Sequence, residues 1–185
     1  MESIQKLRKF YELKHVERAG PVGNRKESSA EHSWSCLILA DYFLSIMDED
    51  LDRLKVYELL MYHDVVEIET GDTPIHHVEE RLGKKEKEKV ASHILKDHMP
   101  KVLGDKFIRL FEEFEARETK EAKFAKAIDA LDALIHFLDY KESWKGWSEE
   151  MVRKFHGSKV VAFKETKEAF EKLVVYCREK GFFDQ

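Results

Sequence analysis

The sequence predicts an all-α fold, a single-domain bundle of about six to eight helices. Three observations carry that expectation. No window alternates apolar and polar residues between turn signals, as a half-buried strand does. Apolar residues recur instead at helical spacing along most of the chain. The three prolines (Pro21, Pro74, Pro100) and eight glycines fall between the periodic segments or at their ends. A chain of 185 residues can bury a sizeable core, and no repeat, low-complexity tract or linker divides it. Residues 1–185 therefore read as one domain.

The first helix is expected from about Ser3 to Arg18, with Ile4, Leu7, Phe10, Tyr11 and Leu13 on one face. Ala19-Gly20-Pro21 stops it, and a polar connection with Arg25 near its middle follows. The second helix starts at Ser28 or Ser29, because Ser28-Ser29-Ala30-Glu31 has the form of a capping box. That places His32 in its first turn. Trp34, Leu37, Ile38, Ala40, Phe43 and Leu44 carry its apolar face to Met47. An acidic turn over 48–52 precedes a third helix, from about Leu54 to Val66, which Thr70 to Pro74 break. Charged residues from Glu79 to Lys89 lead into a helix reaching about His98 and ended by Pro100. The next helix, from Asp105 to about Arg117, is amphipathic through Phe107, Leu110, Phe111 and Phe114. Another, from about Glu121 to Tyr140, carries Phe124, Ile128, Leu131, Leu134, Ile135 and Leu138. A connection containing Trp144 and Trp147 leads to a final helix from about Lys159 to Lys180, ended by Gly181.

Charged residues make up 37% of the chain, which suits long helices with solvated outer faces. The net charge of −5 weighs against a nucleic-acid-binding surface, which needs a basic patch. Lys84, Lys85, Lys87 and Lys89 are interleaved with Glu86 and Glu88 and read as one solvated face. Cys36 and Cys177 sit in apolar helical stretches and read as buried thiols. The N-terminus lacks the apolar core of a signal peptide, and no stretch approaches the roughly 18 apolar residues of a membrane span. The expectation is a cytoplasmic protein with neither membrane nor nucleic acid as partner.

The chemistry centres on His63-Asp64, inside the run LLMYHDVVEIETGD. Adjacent His and Asp in an apolar helical pattern are costly unless something pairs with them. Glu67 follows four residues after His63 and three after Asp64, on the same helix face. For such a pair alone, a satisfied core histidine beside a capping Asp is the plain alternative. Asp129 stands in a helix apolar on nearly all sides, between Ala125 and Ala133, with only Lys126 within a turn. It is a good ligand candidate. Asp132 is a weaker one, equally compatible with the outer face, while His93, His98 and His136 read as surface or packing residues. His76-His77 lack the partner spacing of a metal site. His32, His63, Asp64 and Asp129 make an N/O donor set suited to a divalent ion such as Mn, Co, Fe, Ni or Zn.

The order H…HD…D resembles the HD-domain phosphohydrolases, most closely their small 5′-deoxynucleotidase branch. The resemblance rests on Arg18, Glu31-His32-Ser33, His63-Asp64-x-x-Glu67-x-x-Thr70-Gly71-Asp72-x-Pro74 and Lys126-Ala127-x-Asp129-Ala130-Leu131. It implies one divalent metal (Mn, Co, Mg, Fe, Ni or Zn) held by His32, His63, Asp64 and Asp129. It also implies that Glu67 orients or deprotonates the attacking water, that Asp72 faces the sugar 3′-hydroxyl, and that Arg18 neutralises the 5′-phosphate. Arg25 would share in phosphate binding. The implied reaction turns a small-molecule (deoxy)nucleoside 5′-monophosphate into nucleoside and phosphate. A homodimer is implied too, with Trp144, Trp147, Phe182 and Phe183 read as exposed aromatics at its interface. One departure is Ala19, where bacterial members carry a Trp that shapes the sugar pocket. The alternatives are a hydrolase of nucleoside triphosphates or alarmone-type diphosphates, and a non-catalytic metal-containing helical module. No extra basic cluster calls for the larger substrates, and a spare carboxylate at Glu67 weighs against a structural metal.

Overall fold

The computed structural model describes residues 1–77, 79 and 82–184. The fold is helical, with one small ribbon at the N-terminal side. Helix α1 (Glu2–Tyr11) buries no residue and ends sooner than its periodicity implies. A 3-10 turn, Glu12–His15, then leads into strand β1 (Glu17–Val22), antiparallel to β2 (Arg25–Ser28). This hairpin replaces the expected helix end and polar connection. Its register pairs Val22 with Arg25 and Glu17 with Ser28, with an irregularity between Glu17 and Pro21. That irregularity breaks the alternation by which a strand is recognised. Arg18 is therefore a strand residue.

Helix α2 (Ser29–Ile46) begins with the expected capping box between Ser28 and Glu31. Helix α3 (Arg53–Tyr62) starts on Asp52, whose side chain accepts from the Lys55 N–H. It ends before His63, not at Val66. The ladder shifts there to three-residue bonds, Val65 N–H to the Tyr62 carbonyl and Glu67 N–H to the Asp64 carbonyl. A single turn, α4 (Glu67–Thr70), follows and stops at Gly71, whose φ of 69° is left-handed.

Helix α5 (Lys84–Asp97) begins after Gly83, so only part of the charged stretch from Glu79 is helical; Glu80 and Arg81 lie outside the described residues. Helix α6 (Lys101–Ala116) starts directly after Pro100 and packs on α5. Gly104 permits that approach, since a Cβ there would stand 2.7 Å from the Lys96 carbonyl oxygen. Helix α7 (Lys120–His136) is capped by Thr119 and buries Phe124, Ala125, Ile128 and Leu131 completely. It packs on α2, α3 and α6 and forms the centre of the bundle.

After two 3-10 turns come α8 (Glu149–Val152), a π turn over Arg153–Gly157, α9 (Ser158–Val160) and α10 (Lys164–Glu179). The expected last helix is thus split. Thr166 Oγ1 donates to the Val160 and Phe163 carbonyls at the break. One continuous core includes Leu59, Leu60, Leu95, Phe107, Phe124, Leu131 and Phe170. Full burial of such side chains is worth about 1.5–3 kcal/mol each.

The aromatics expected at the surface belong inside. Trp144 and Phe182 are buried edge to face at 5.5 Å, and Trp147 and Phe183 are half-buried. Conversely, Trp34 and Ile38 stand exposed on α2. Cys36 and Cys177 are free, buried thiols. Among the described residues, no helix is long and apolar enough to cross a membrane.

Candidate functional site

Three segments bring the site together. The capping box fixes the first turn of α2 and with it His32, which is wholly buried. The turn after α3 presents His63 and Asp64, and α7 presents Asp129. His32 Nε2 stands 3.1 Å from Asp129 Oδ1 and 3.9 Å from Asp64 Oδ2. His63 Nε2 stands 3.2 Å from Asp64 Oδ1 and 3.9 Å from Asp129 Oδ1. Both imidazoles and both carboxylates of the H…HD…D set therefore converge.

The donors suit a cation. His63 Nδ1 is bonded to the Leu60 carbonyl at 2.8 Å, which places the ring proton there and leaves Nε2 with a lone pair. Nε2 is buried and has no hydrogen-bond partner among the described residues. Burial lowers the pKa of His63 despite the nearby Asp64 and Asp129, so the ring is neutral. A lone pair facing two carboxylate oxygens is repelled unless a positive ion stands between them.

The carboxylates are held charged. Burial opposes ionisation of Asp129, but Lys126, with Nζ at 2.9 Å, and the His32 imidazole keep its pKa well below the usual range. Burial likewise opposes ionisation of Asp64, and the Arg18 guanidinium holds its pKa below the usual range. For His32, burial and the Arg18 charge oppose protonation, yet the Asp129 and Asp132 carboxylates keep its pKa well above the imidazole range.

Asp132 is not an outer-face residue. It is buried, with Oδ2 2.8 Å from His32 Nδ1 and accepting from Ser35 Oγ at 2.9 Å. It orients His32 from behind, as carboxylates commonly do for metal-ligating imidazoles. Cys36, one turn after His32 on α2, places Sγ 3.6 Å from His32 Nε2. With His32 and His63 it forms a group whose ligand atoms all lie within 4.8 Å of one another. Burial pushes its thiol up to about 12, so the carboxylates are the anionic donors.

Arg18 joins the cluster from β1. Its Nη1 donates to Asp64 Oδ2 at 3.0 Å and stands 3.9 Å from Asp72, while Nε is 3.3 Å from Glu27. Glu67 is buried, and its Oε2 accepts from Ser29 Oγ at 2.7 Å. Burial and the Asp64 and Asp72 charges push its pKa up to about 8, against the pull of Arg18 and Lys84. Arg18, Asp64, Glu67, Asp72, Lys126 and Asp129 all line one cavity of about 410 Å³.

Arg25 is not brought into this cavity. Its exposed guanidinium is engaged by the Glu31 carboxylate, which the capping box pins at the start of α2. Glu27, Ser29 and Lys84 contact Arg18 or Glu67, and His156 lines the cavity, none of which the sequence alone predicts. Their pairings are non-local and leave no spacing signal. The Cys36 position had one, four residues from His32 on the same face.

A family model described as HD domain matches residues 10–171. Over 97 residues the chain is 32% identical to the 5′-deoxynucleotidase YfbR of Escherichia coli O127:H6, covering 48% of this chain and 49% of that protein. A 5′-deoxynucleotidase of Enterobacter sp. strain 638 matches at 31% over the same shares. The match thus spans about half the length of these curated relatives. A predicted metal-dependent phosphohydrolase of Magnetospirillum magnetotacticum MS-1 superposes with a TM-score of 0.88 at 29% identity, covering 100% of this chain and 95% of that one. An HD-domain phosphohydrolase of Listeria innocua shares the fold, with a TM-score of 0.66, 22% identity, and coverage of 96% and 86%.

Proposed function

We propose, for a chain that belongs to the HD-domain family, a metal-dependent phosphohydrolase acting as a 5′-nucleotidase on (deoxy)nucleoside 5′-monophosphates. One observation carries this reading: Asp64 and Asp129, backed by the buried imidazoles of His32 and His63, line one cavity together with a cationic Arg18 and a buried spare carboxylate, Glu67. The cavity falls within the range of small-molecule sites, roughly 300–1,000 Å³.

His32, His63, Asp64 and Asp129 would hold the divalent ion, which supplies positive charge to the phosphoryl oxygens and acidifies water. The native metal, among Mn, Co, Mg, Fe, Ni and Zn, is for experiment to choose. Arg18, tethered by Asp64, Glu27 and Asp72, offers its guanidinium to the phosphate. Glu67 takes the proton of the attacking water while Ser29 holds one of its oxygens. The water oxygen bonds to phosphorus as the bond to the sugar O5′ breaks, and O5′ takes a proton from solvent while Glu67 later returns its own, giving nucleoside and phosphate. Asp72, on the cavity wall, accepts from the sugar 3′-hydroxyl. Most of the catalysis is then positioning and charge stabilisation.

The homodimer belongs to the same reading. Trp34, Ile38, Tyr42 and Ile46, four residues apart on α2 and each at least 52% exposed, form the apolar stripe that supports it.

The test is phosphate release from a panel of deoxy- and ribonucleoside 5′-monophosphates, by metal-stripped protein resupplied with Mn, Co or Mg. Release that requires both metal and Asp64, as judged by Asp64→Ala, is the expected result. Release from triphosphates or diphosphates alone would overturn the monophosphatase reading, and no release from any of them would leave a binding module.

A further inference from the structure

The proposed reaction uses the donor cluster, Arg18, Glu67 and Asp72, yet another part of the cavity lining takes no part in it. Trp147, His156 and His76 lie there, contributed by three segments outside the H…HD…D residues. Both histidine rings contact the Trp147 ring. The His156 and Trp147 centroids are 6.5 Å apart at 48°, and those of Trp147 and His76 are 5.5 Å apart at 73°.

The group is built on a fixed frame. Trp147 donates its backbone N–H to the Trp144 carbonyl at 2.9 Å, and its own carbonyl accepts from the Asp184 N–H at 3.0 Å. Phe155 packs edge-on against its ring at 6.0 Å. His156, at the deep end, is buried in the π turn, a local irregularity common at functional sites. Trp147 is only half-buried and His76 is exposed, so both stay within reach of a ligand in the cavity. Ala19, in the lining beside Arg18, has no ring to offer. A phosphate has no use for a flat polarizable face, and a heteroaromatic base covers one more fully than a sugar does.

We propose that the Trp147 ring is the stacking face for the planar base of the substrate, with the steeply inclined His76 ring bounding that face and His156 positioning Trp147. The proposal rests on the nucleotidase reading and specifies how that substrate is recognised. It makes Trp147 and His76 binding residues for the base and gives the enzyme a preference for nucleotides over sugar phosphates.

Two measurements test it on the full chain, with circular dichroism confirming the fold of each variant. Calorimetric titration with deoxyadenosine, a ligand without phosphate, should show binding that 2-deoxyribose lacks. Trp147→Ala and His76→Ala should each weaken it, the former about ten-fold, and Trp147→Phe should restore most of it. In turnover, Trp147→Ala should raise KM for dAMP about ten-fold more than KM for 2-deoxyribose 5-phosphate. Deoxyadenosine binding no tighter than 2-deoxyribose would overturn the platform, as would undiminished binding in both alanine variants. If deoxyadenosine binds but no nucleotide is hydrolysed, the nucleotidase reading fails and the platform stands. If nucleotides are hydrolysed with equal KM for dAMP and 2-deoxyribose 5-phosphate, the platform fails and the nucleotidase stands.

Discussion

Arg18 Nη1 donates to Asp64 Oδ2 at 3.0 Å, tying the hairpin to the turn that carries the His-Asp pair. Arg18 stands among Asp64, Asp72 and Glu27, and its side chain is only 16% exposed. Arg18→Ala should therefore act twice. It should lower kcat/KM by about 10²-fold through loss of a charge-stabilising donor. It should also destabilise the fold, by about 3 kcal/mol where a buried pair loses one partner. Arg18→Lys keeps the charge without the planar fork, so it should recover stability better than kcat/KM. Urea unfolding beside steady-state kinetics would show whether the two effects separate in this way.

Glu67 gives a pH prediction for the metal-free chain. Its carboxyl titrates near 4.5 when exposed and is pushed up to about 8 by burial and by the Asp64 and Asp72 charges. Between those values the folded state holds a proton that the unfolded state has released. The stability this contributes is full below pH 4.5 and is lost as pH rises through about 8. Glu67→Gln, which mimics the protonated acid, should remove this part of the slope. A melting-temperature profile from pH 5 to 9 should show wild type losing ground to Glu67→Gln as pH rises. With metal and substrate supplied, the same variant should retain metal and lose about 10²–10⁴-fold in kcat. Loss of metal along with turnover would instead make Glu67 a ligand.

What could be read in the chain alone follows the range of the interactions. The Ser28–Glu31 capping box is local, and it placed His32 correctly at the start of α2. The place of Asp129 on a packed face of α7 follows from periodicity, although one helix wheel cannot decide whether Asp132 is buried or faces water. The hairpin escaped notice because Ala19, Gly20 and Pro21 are poor strand formers and the register slips there. The contacts of Glu27 with Arg18 and of Ser29 with Glu67, like the burial of Trp144 by Phe182, depend on distant segments meeting. No pattern in one segment encodes them.

The α2 stripe predicts how the chain associates. Trp34, Ile38, Tyr42 and Ile46 are 66%, 57%, 59% and 52% exposed on one helix face. A pair of such faces can bury one another about a two-fold axis. Ile38→Glu with Tyr42→Glu should convert a dimer to a monomer in light scattering without changing the circular dichroism of the chain. A wild-type protein that is monomeric at tens of micromolar would remove the dimer from the reading.

Asp132→Asn tests the proposed metal site without replacing any of its four donors. The Asp132 carboxylate holds His32 Nδ1 at 2.8 Å and is itself held by Ser35 Oγ, so it sets both the tautomer and the angle of the ring. In the carboxylate form it demands the proton on Nδ1 and leaves the Nε2 lone pair for the cation. Asp132→Asn keeps the size and the Ser35 contact but can offer an amide N–H where a carboxylate stood, favouring the opposite tautomer. Metal affinity should fall by about 10–100-fold, the usual cost of losing such a partner. Equilibrium dialysis with Mn or Co measures that loss independently of turnover. Ser35→Ala leaves the carboxylate in place and should lose much less. Equal losses in the two variants would mean that the packing of α2 against α7, and not the orientation of His32, governs the site.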